Sequence, residues 1–338
     1  IIYIFFIYIL RFILFLAFTT FISFVSSSLN QLSFSGGGAF GAVEIGILKR
    51  IIETNNIKYD LYTGISAGAL NAGFLSYYDN ISDGVKQSEE IYSQMKNNMI
   101  YNIRPFTGLS VFNTTPLRNT LTNIIKDMPN YPIIHTLIGA TNLYSGHLDI
   151  FTFEDNNDDN KVDILMSSSA IPGLFPPINY NNAMYADGGT LSNELLQVEH
   201  DGYLNITFIT PYEGYIYNDS PITNLEDMIK RTISIVVSNY NNEFIKINTN
   251  CNNPIGELHY YYVSSEYLQG FNMLNFNDHK WTHEKVKFPT VKKLLKELDI
   301  WKVPFSQDDK SFKYWGYYDD GHFSPEGHEM IGKIFSDY

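Results

Sequence analysis

The chain has 338 residues, 44% hydrophobic and 17% charged, with a formal net charge of −13 and one cysteine, Cys251. That is enough for one large domain or two small ones with a sizeable core. The acidic balance and the lack of a strong Lys/Arg cluster argue against a nucleic-acid partner, and a single cysteine excludes an intramolecular disulfide.

Residues 1–25 are almost wholly apolar, interrupted by Arg11. The run 12–25 has the length of a signal-peptide core. Joined to residues 1–10 it reaches the length of a membrane span, with Arg11 near the bilayer centre at a cost of about 2.5–3.5 kcal/mol. Residues 1–27 are therefore expected to be a signal peptide or a membrane anchor, which makes the protein secreted or membrane-associated.

Residues 31–35 read as a first strand that runs into Gly36-Gly37-Gly38-Ala39-Phe40-Gly41. A helix follows, with Val43, Ile47, Leu48, Ile51 and Ile52 on one face. A strand feeding a glycine-rich loop and a helix gathers backbone N–H groups into a cradle for negative charge. Gly36, Gly38 and Gly41 also fit the Gly-x-Gly-x-x-Gly dinucleotide pattern. The acidic residue that pattern requires is badly placed, because Asp60 already leads into the next turn. A Walker-type phosphate loop is excluded for want of Gly-Lys-Ser/Thr. The remaining use of the loop is to stabilise an oxyanion.

Residues 60–63 read as a second strand and 67–78 as a helix of small residues. Between them Gly64-Ile65-Ser66-Ala67-Gly68 fits Gly-x-Ser-x-Gly. A serine at a strand-to-helix turn is held in a strained backbone, with its hydroxyl exposed beside the N–H groups of the helix start. Those are the needs of a nucleophile; the plainer alternative is a glycine-rich turn with an exposed serine. Two βα units of this kind imply an α/β fold with a largely parallel sheet, both turns lying at the carboxyl ends of strands, where such sheets bind ligands.

Further on, 83–99 and 116–127 read as helices, the second capped by Thr115. Residues 137–142 and 147–153 read as a strand pair around Ser145-Gly146. The acidic stretch 154–159 reads as a solvated loop in preference to a calcium site. Residues 161–170 read as a helix, and Met184-Tyr185-Ala186 as a short strand delivering Asp187-Gly188-Gly189, by itself an ordinary turn. Residues 205–210 read as a strand, and 225–237 and 243–247 as helical. Beyond about Tyr240 the pattern weakens and aromatic residues increase.

Three motifs thus stand in a fixed order: the glycine loop 36–41, the Ser66 turn and Asp187-Gly188-Gly189. This resembles the patatin-like phospholipase family. The stretch 167–177, Ser-Ser-Ser-Ala-Ile-Pro-Gly-Leu-Phe-Pro-Pro, is similar to that family's segment ahead of its aspartate, and the likeness covers about 31–240. The resemblance implies a three-layer α/β/α patatin-like fold with a largely parallel central sheet. It divides the chain into 1–27, a catalytic domain 28–240 and an aromatic-rich extension 241–338 packed on that domain. It also implies a lipid acyl hydrolase of phospholipase A or lysophospholipase type, working through a Ser–Asp dyad without histidine, cofactor or metal. Carried onto this chain, Ser66 is the nucleophile and Asp187 its base. Gly36, Gly37, Gly38 and Ala39 supply the oxyanion hole, and Gly41, Gly64, Gly68, Gly188 and Gly189 support the turns. The implied partners are a membrane phospholipid or other lipid ester and a membrane surface. Two positions depart from the family pattern: Phe40 replaces a basic residue, and Asn193 is followed by Glu194 where a proline is common.

Other readings compete. Asp319 and His322 resemble the Asp-x-x-His block of hydrolases with a Gly-Asp-Ser nucleophile, but no such nucleophile segment is present near the start. A triad in which His322 serves Ser66 is a second alternative. His279 and His283 have helical metal-ligand spacing with no third ligand evident. A catalytically silent lipid-binding protein on the same fold is the remaining class; loss of Ser66 or Asp187 would have signalled it. Asn80, Asn113, Asn205 and Asn218 begin glycosylation sequons that matter only in a secretory pathway.

Overall fold

A computed structural model describes residues 29–54, 56–103, 108–128, 131–195, 204–212, 222–223, 227–229, 231–232, 235, 255–263, 273–277 and 303–304. The segment 1–27, the histidines 279, 283 and 322, Asp319 and Cys251 lie outside the described residues, as does most of 241–338. Among the described residues no helix is long and apolar enough to cross a membrane.

A mixed sheet carries the fold. Its parallel centre runs β10 (Ile255–Val263), β9 (Leu204–Tyr212), β1 (Leu29–Phe34), β2 (Leu61–Ile65) and β5 (His135–Asn142), in that spatial order. Antiparallel strands complete it: β6 (Leu148–Thr152) and β8 (Ala183–Asp187) on β5, β7 (Ile178–Tyr180) on β8, and β11 (Val303–Pro304) on β10; β3 (Asn102–Ile103) and β4 (Phe112–Asn113) pair separately. β2 is buried at every residue, as a central parallel strand covered on both faces must be.

The helices follow from their apolar spacing. α1 (Gly41–Thr54) buries Val43, Ile47, Leu48 and Ile51 and turns Lys49 out to pair with Glu89 on α3 (Ile81–Gln94). α2 (Ala67–Leu75) has no apolar stripe; it is buried nearly all round, and its alanines and glycines let it lie close to β1 and β2. A Cβ added to Gly68 would stand only 2.3 Å from the Ser35 carbonyl oxygen. α5 (Thr115–Asp127) buries Leu117, Leu121 and Ile125, spaced four apart.

Three elements differ from the sequence reading. The helix expected over 83–99 ends at Gln94, because Met95 and Lys96 are extended and a separate turn, α4 (Asn97–Ile100), follows. That break puts Met95 into the core and leaves the Asn97 N–H to donate to Asn277 Oδ1 at 3.1 Å. The cap of α5 is Thr114, since Asn113 Oδ1 takes both the N–H and the hydroxyl of Thr115. α6 (Asp158–Ser168) begins earlier than residue 161, capped by Asn157, whose side chain accepts from the Asn160 N–H. The last two residues of the acidic stretch, Asp158 and Asp159, thereby enter the first helical turn and meet the positive end of the helix dipole.

Candidate active site

The register of β5 brings the two polar turns together. β2 pairs with 135–139 of β5, β8 with 140–142, and β6 with 137–141. β6 overlaps both of the other registers, so it holds one edge of β5 alone. β2 and β8 must then share the other edge, running head to head. Ile65 stands opposite Gly139 and Asp187 opposite Ala140, so the chain leaving β2 and the chain ending β8 meet at one point. There the Ser66 hydroxyl donates to Asp187 Oδ2 at 2.6 Å, and both residues are buried.

Ser66 sits at φ 55° and ψ −120°, a conformation L-residues adopt only under constraint, at a cost of about 1–3 kcal/mol. The constraint comes from the end of α6. The Ser66 N–H donates to Ser168 Oγ at 2.8 Å, and that hydroxyl in turn donates to the Gly139 carbonyl at 2.7 Å. Ser169 Oγ reaches the Ser66 carbonyl at 3.4 Å. The Ser66 turn is thus gripped at both its N–H and its carbonyl by a serine run that the sequence reading treated only as a motif.

Asp187 is held equally firmly. Its Oδ1 accepts from the Gly189 N–H at 2.8 Å, and its N–H donates to the Ala170 carbonyl at 2.9 Å. Burial pushes its carboxyl from an ordinary 3.8 up to about 7, while the hydrogen bonds from Ser66 and Gly189 oppose that rise. A carboxylate with that affinity for a proton can accept one from a hydroxyl near neutral pH.

The glycine loop lies alongside. Gly36 is fixed by Asn193, whose Oδ1 accepts the Gly36 N–H at 3.1 Å and whose amide donates to the Gly36 carbonyl at 3.3 Å. The Ala39 N–H donates to the Met273 carbonyl at 2.7 Å. Among the described residues, the N–H groups of Gly37, Gly38 and Ala67 have no partner. Gly64 and Gly68 flank the serine, Gly188 and Gly189 follow the aspartate, and Gly41 begins α1. Next to Ser66 is a small apolar cavity of about 30 Å³, lined by Gly38 and Ala67 and by Leu70, Met95, Ile100 and Phe175 among others.

Asn193, Ser168 and Ser169, and the wall residues contributed by 273–277, were not singled out from the sequence. Asn193 was noted only as a departure from a pattern, and nothing about residues 273–277 carries a motif. Among the described residues of the acidic stretch, Glu154 is taken up by His135 and by the Thr136 N–H.

Comparison with known proteins agrees with this arrangement of motifs. The family model of patatin-like phospholipase matches residues 32–198. Uncharacterized protein R571 of Acanthamoeba polyphaga mimivirus is 26% identical over 222 residues, 60% of this chain and 74% of that protein. "Probable lipid hydrolase 463L" of Invertebrate iridescent virus 6 is 40% identical over 57 residues, 17% of this chain and 20% of that protein. Among solved structures, VipD from Legionella pneumophila gives a TM-score of 0.40 at 16% identity, over 81% of this chain and 67% of VipD. The ExoU–SpcU complex of Pseudomonas aeruginosa gives 0.30 at 13% identity, over 64% of this chain and 51% of the matched chain. The matched segment 32–198 holds the glycine loop, the Ser66 turn and the Asp187 turn, and this part of the chain is a patatin-like phospholipase domain.

Proposed function

We propose that the chain is a lipid acyl hydrolase that cleaves carboxylic esters through an acyl-enzyme on Ser66, with Asp187 as the only base. The observation that carries this reading is the 2.6 Å hydrogen bond between a strained serine hydroxyl and a buried carboxylate beside an apolar cavity. As Ser66 Oγ attacks the ester carbon, its proton passes to Asp187 Oδ2 and the carbonyl oxygen becomes an oxyanion. The oxyanion is received by the N–H groups of Gly37 and Gly38, which have no other partner among the described residues. Each such donor contributes about 2.7–4 kcal/mol to the transition state. Gly36 and Ala39 keep the loop in place through Asn193 and Met273. Asp187 then returns the proton to the leaving alcohol, and water releases the acid by the same steps in reverse order. The substrates are phospholipids, lysophospholipids or related lipid esters, met at a membrane surface.

The test is labelling of the purified chain by a fluorophosphonate, together with acid release from dihexanoyl phosphatidylcholine, for wild type, Ser66→Ala and Asp187→Asn. Labelling and release by wild type alone support the dyad. Full activity in Ser66→Ala overturns it. A folded wild type that neither labels nor hydrolyses is a lipid-binding protein instead.

A further inference from the structure

The cavity beside Ser66 is walled on one side by residues far from the three motifs. Leu274 and Phe276, both buried, line it together with residues of α2 and α5. They belong to a strap whose described residues, 273–277, are tied down by hydrogen bonds. The Met273 carbonyl accepts from the Ala39 N–H at 2.7 Å, on the glycine loop itself. The Leu274 carbonyl accepts from the Tyr101 hydroxyl at 2.8 Å. The Phe276 N–H donates to Asn97 Oδ1 at 2.5 Å, and Asn277 Oδ1 accepts from the Asn97 N–H. The rings of Phe276 and Tyr101 meet edge to face, and Tyr101 packs on Phe175, which lines the same cavity. The fit is close at the loop end: Gly38 has φ 58°, and a Cβ there would stand 2.4 Å from the Met273 carbonyl oxygen.

With the strap seated, the cavity of about 30 Å³ has room for about two waters. A cavity of that volume takes only the first carbons of an acyl chain whose carbonyl carbon lies at Ser66 Oγ, and Leu274 and Phe276 are among the residues that bound it. Leu274 and Phe276 belong to the same core cluster as Tyr92 of α3 and Leu117 of α5, so shortening either of them enlarges the pocket without touching the three motifs.

Resting on the hydrolase reading above, we propose that Leu274 and Phe276 are specificity-determining residues that set the acyl-chain length the site accepts, favouring short chains. The substrate class is then an ester whose acyl group is short, or whose first carbons alone enter the pocket.

The test compares kcat/KM for p-nitrophenyl butyrate and p-nitrophenyl laurate, below their micelle-forming concentrations, in the full chain. Within one variant the ratio of the two does not depend on how much of the protein is folded. Wild type is expected to prefer butyrate. Leu274→Ala and Phe276→Ala are each expected to move the ratio toward laurate by about tenfold or more. Tyr101→Phe, which keeps the ring and removes only the hydrogen bond to the Leu274 carbonyl, is expected to move it in the same direction by less. An unchanged ratio in both alanine variants, with Ser66 still labelled by fluorophosphonate, overturns the proposal and leaves the hydrolase reading standing. Absence of labelling in folded wild type overturns both.

Discussion

Among the described residues two carboxylates are buried, Asp187 and Glu44, and their partners differ in kind. Asp187 closes β8 and faces the Ser66 hydroxyl; Glu44 lies in α1, with Oε2 accepting from the Asn71 amide at 2.9 Å and Oε1 from the Ser35 hydroxyl at 3.2 Å. Burial drives both well above the ordinary carboxyl range: Asp187 to about 7, and Glu44 upward against the opposing pull of Asn71 and Ser35. A raised pKa therefore does not identify a base. The partners do. Asp187 holds the hydroxyl of a residue whose backbone is strained and which opens on a cavity. The partners of Glu44 are an amide and a hydroxyl that are themselves engaged elsewhere, Asn71 with the Gly41 carbonyl and the Tyr92 hydroxyl, and Ser35 with Thr210. That network fastens the glycine loop to α2, a structural task.

The sharpest test of this contrast is activity. Ser66→Ala is expected to lower kcat by roughly 10⁴-fold or more. Asp187→Asn should lower it by about 10²–10⁴-fold, the range of a general base. Glu44→Gln, equally buried and equally stripped of charge, should leave kcat unchanged within error in an ester assay. A large loss in Glu44→Gln would erase the distinction.

Ser168→Ala probes the grip on Ser66. It leaves the Ser66 N–H and the Gly139 carbonyl without their shared hydroxyl, so kcat should fall about tenfold with KM nearly unchanged. Stability should fall by about 1–3 kcal/mol in urea titration. By contrast Glu44→Ala, which opens a cavity and strands two polar partners, should cost about 2–4 kcal/mol of stability.

The pH dependence separates function from stability at Asp187. In the proposed reaction the Ser66 proton passes to the Asp187 carboxylate, so kcat/KM should rise through about pH 7 and level off above it. Stability runs the other way. The folded pKa, about 7, exceeds the ordinary 3.8, so the folded state holds this proton more tightly. The favourable contribution is present in full below the ordinary value and is lost as pH rises to the folded value. Asp187→Asn should accordingly be more stable than wild type above neutrality, by roughly 2–4 kcal/mol, and about equal to it near pH 4. Denaturation at the two pH values checks the sign. The smallest effect is expected for Tyr92→Phe, which removes one hydrogen bond to Asn71 and should cost about 1 kcal/mol.

The motifs were legible because each is a local demand. The strand-to-helix turn at Ser66 needs small neighbours, the loop at 36–41 needs backbone that can approach another strand, and the pair β5–β6 shows as two alternating runs around Ser145-Gly146. The sequence also showed the α/β class through strands followed by glycine-rich turns and helices. It missed what depends on partners distant in the chain. β10 was not read as a strand, although it adds to β9 in the parallel sheet. The division of the helix expected at 83–99 follows from contacts with residues nearly two hundred positions later.

By itself, the sequence determined which residues are chemically able to act and the order in which they occur, since glycine spacing and a serine at a turn are properties of short segments. Only the tertiary structure decided that Ser66 and Asp187 meet, because that follows from β2 and β8 sharing one edge of β5. It likewise decided which N–H groups of the loop are already used, which hydroxyls hold the strained serine, and that 273–277 closes the cavity. The physical reason is common to all of these: hydrogen bonds and packing across the sheet join segments with no neighbourhood in the chain, and periodicity carries no record of such partners.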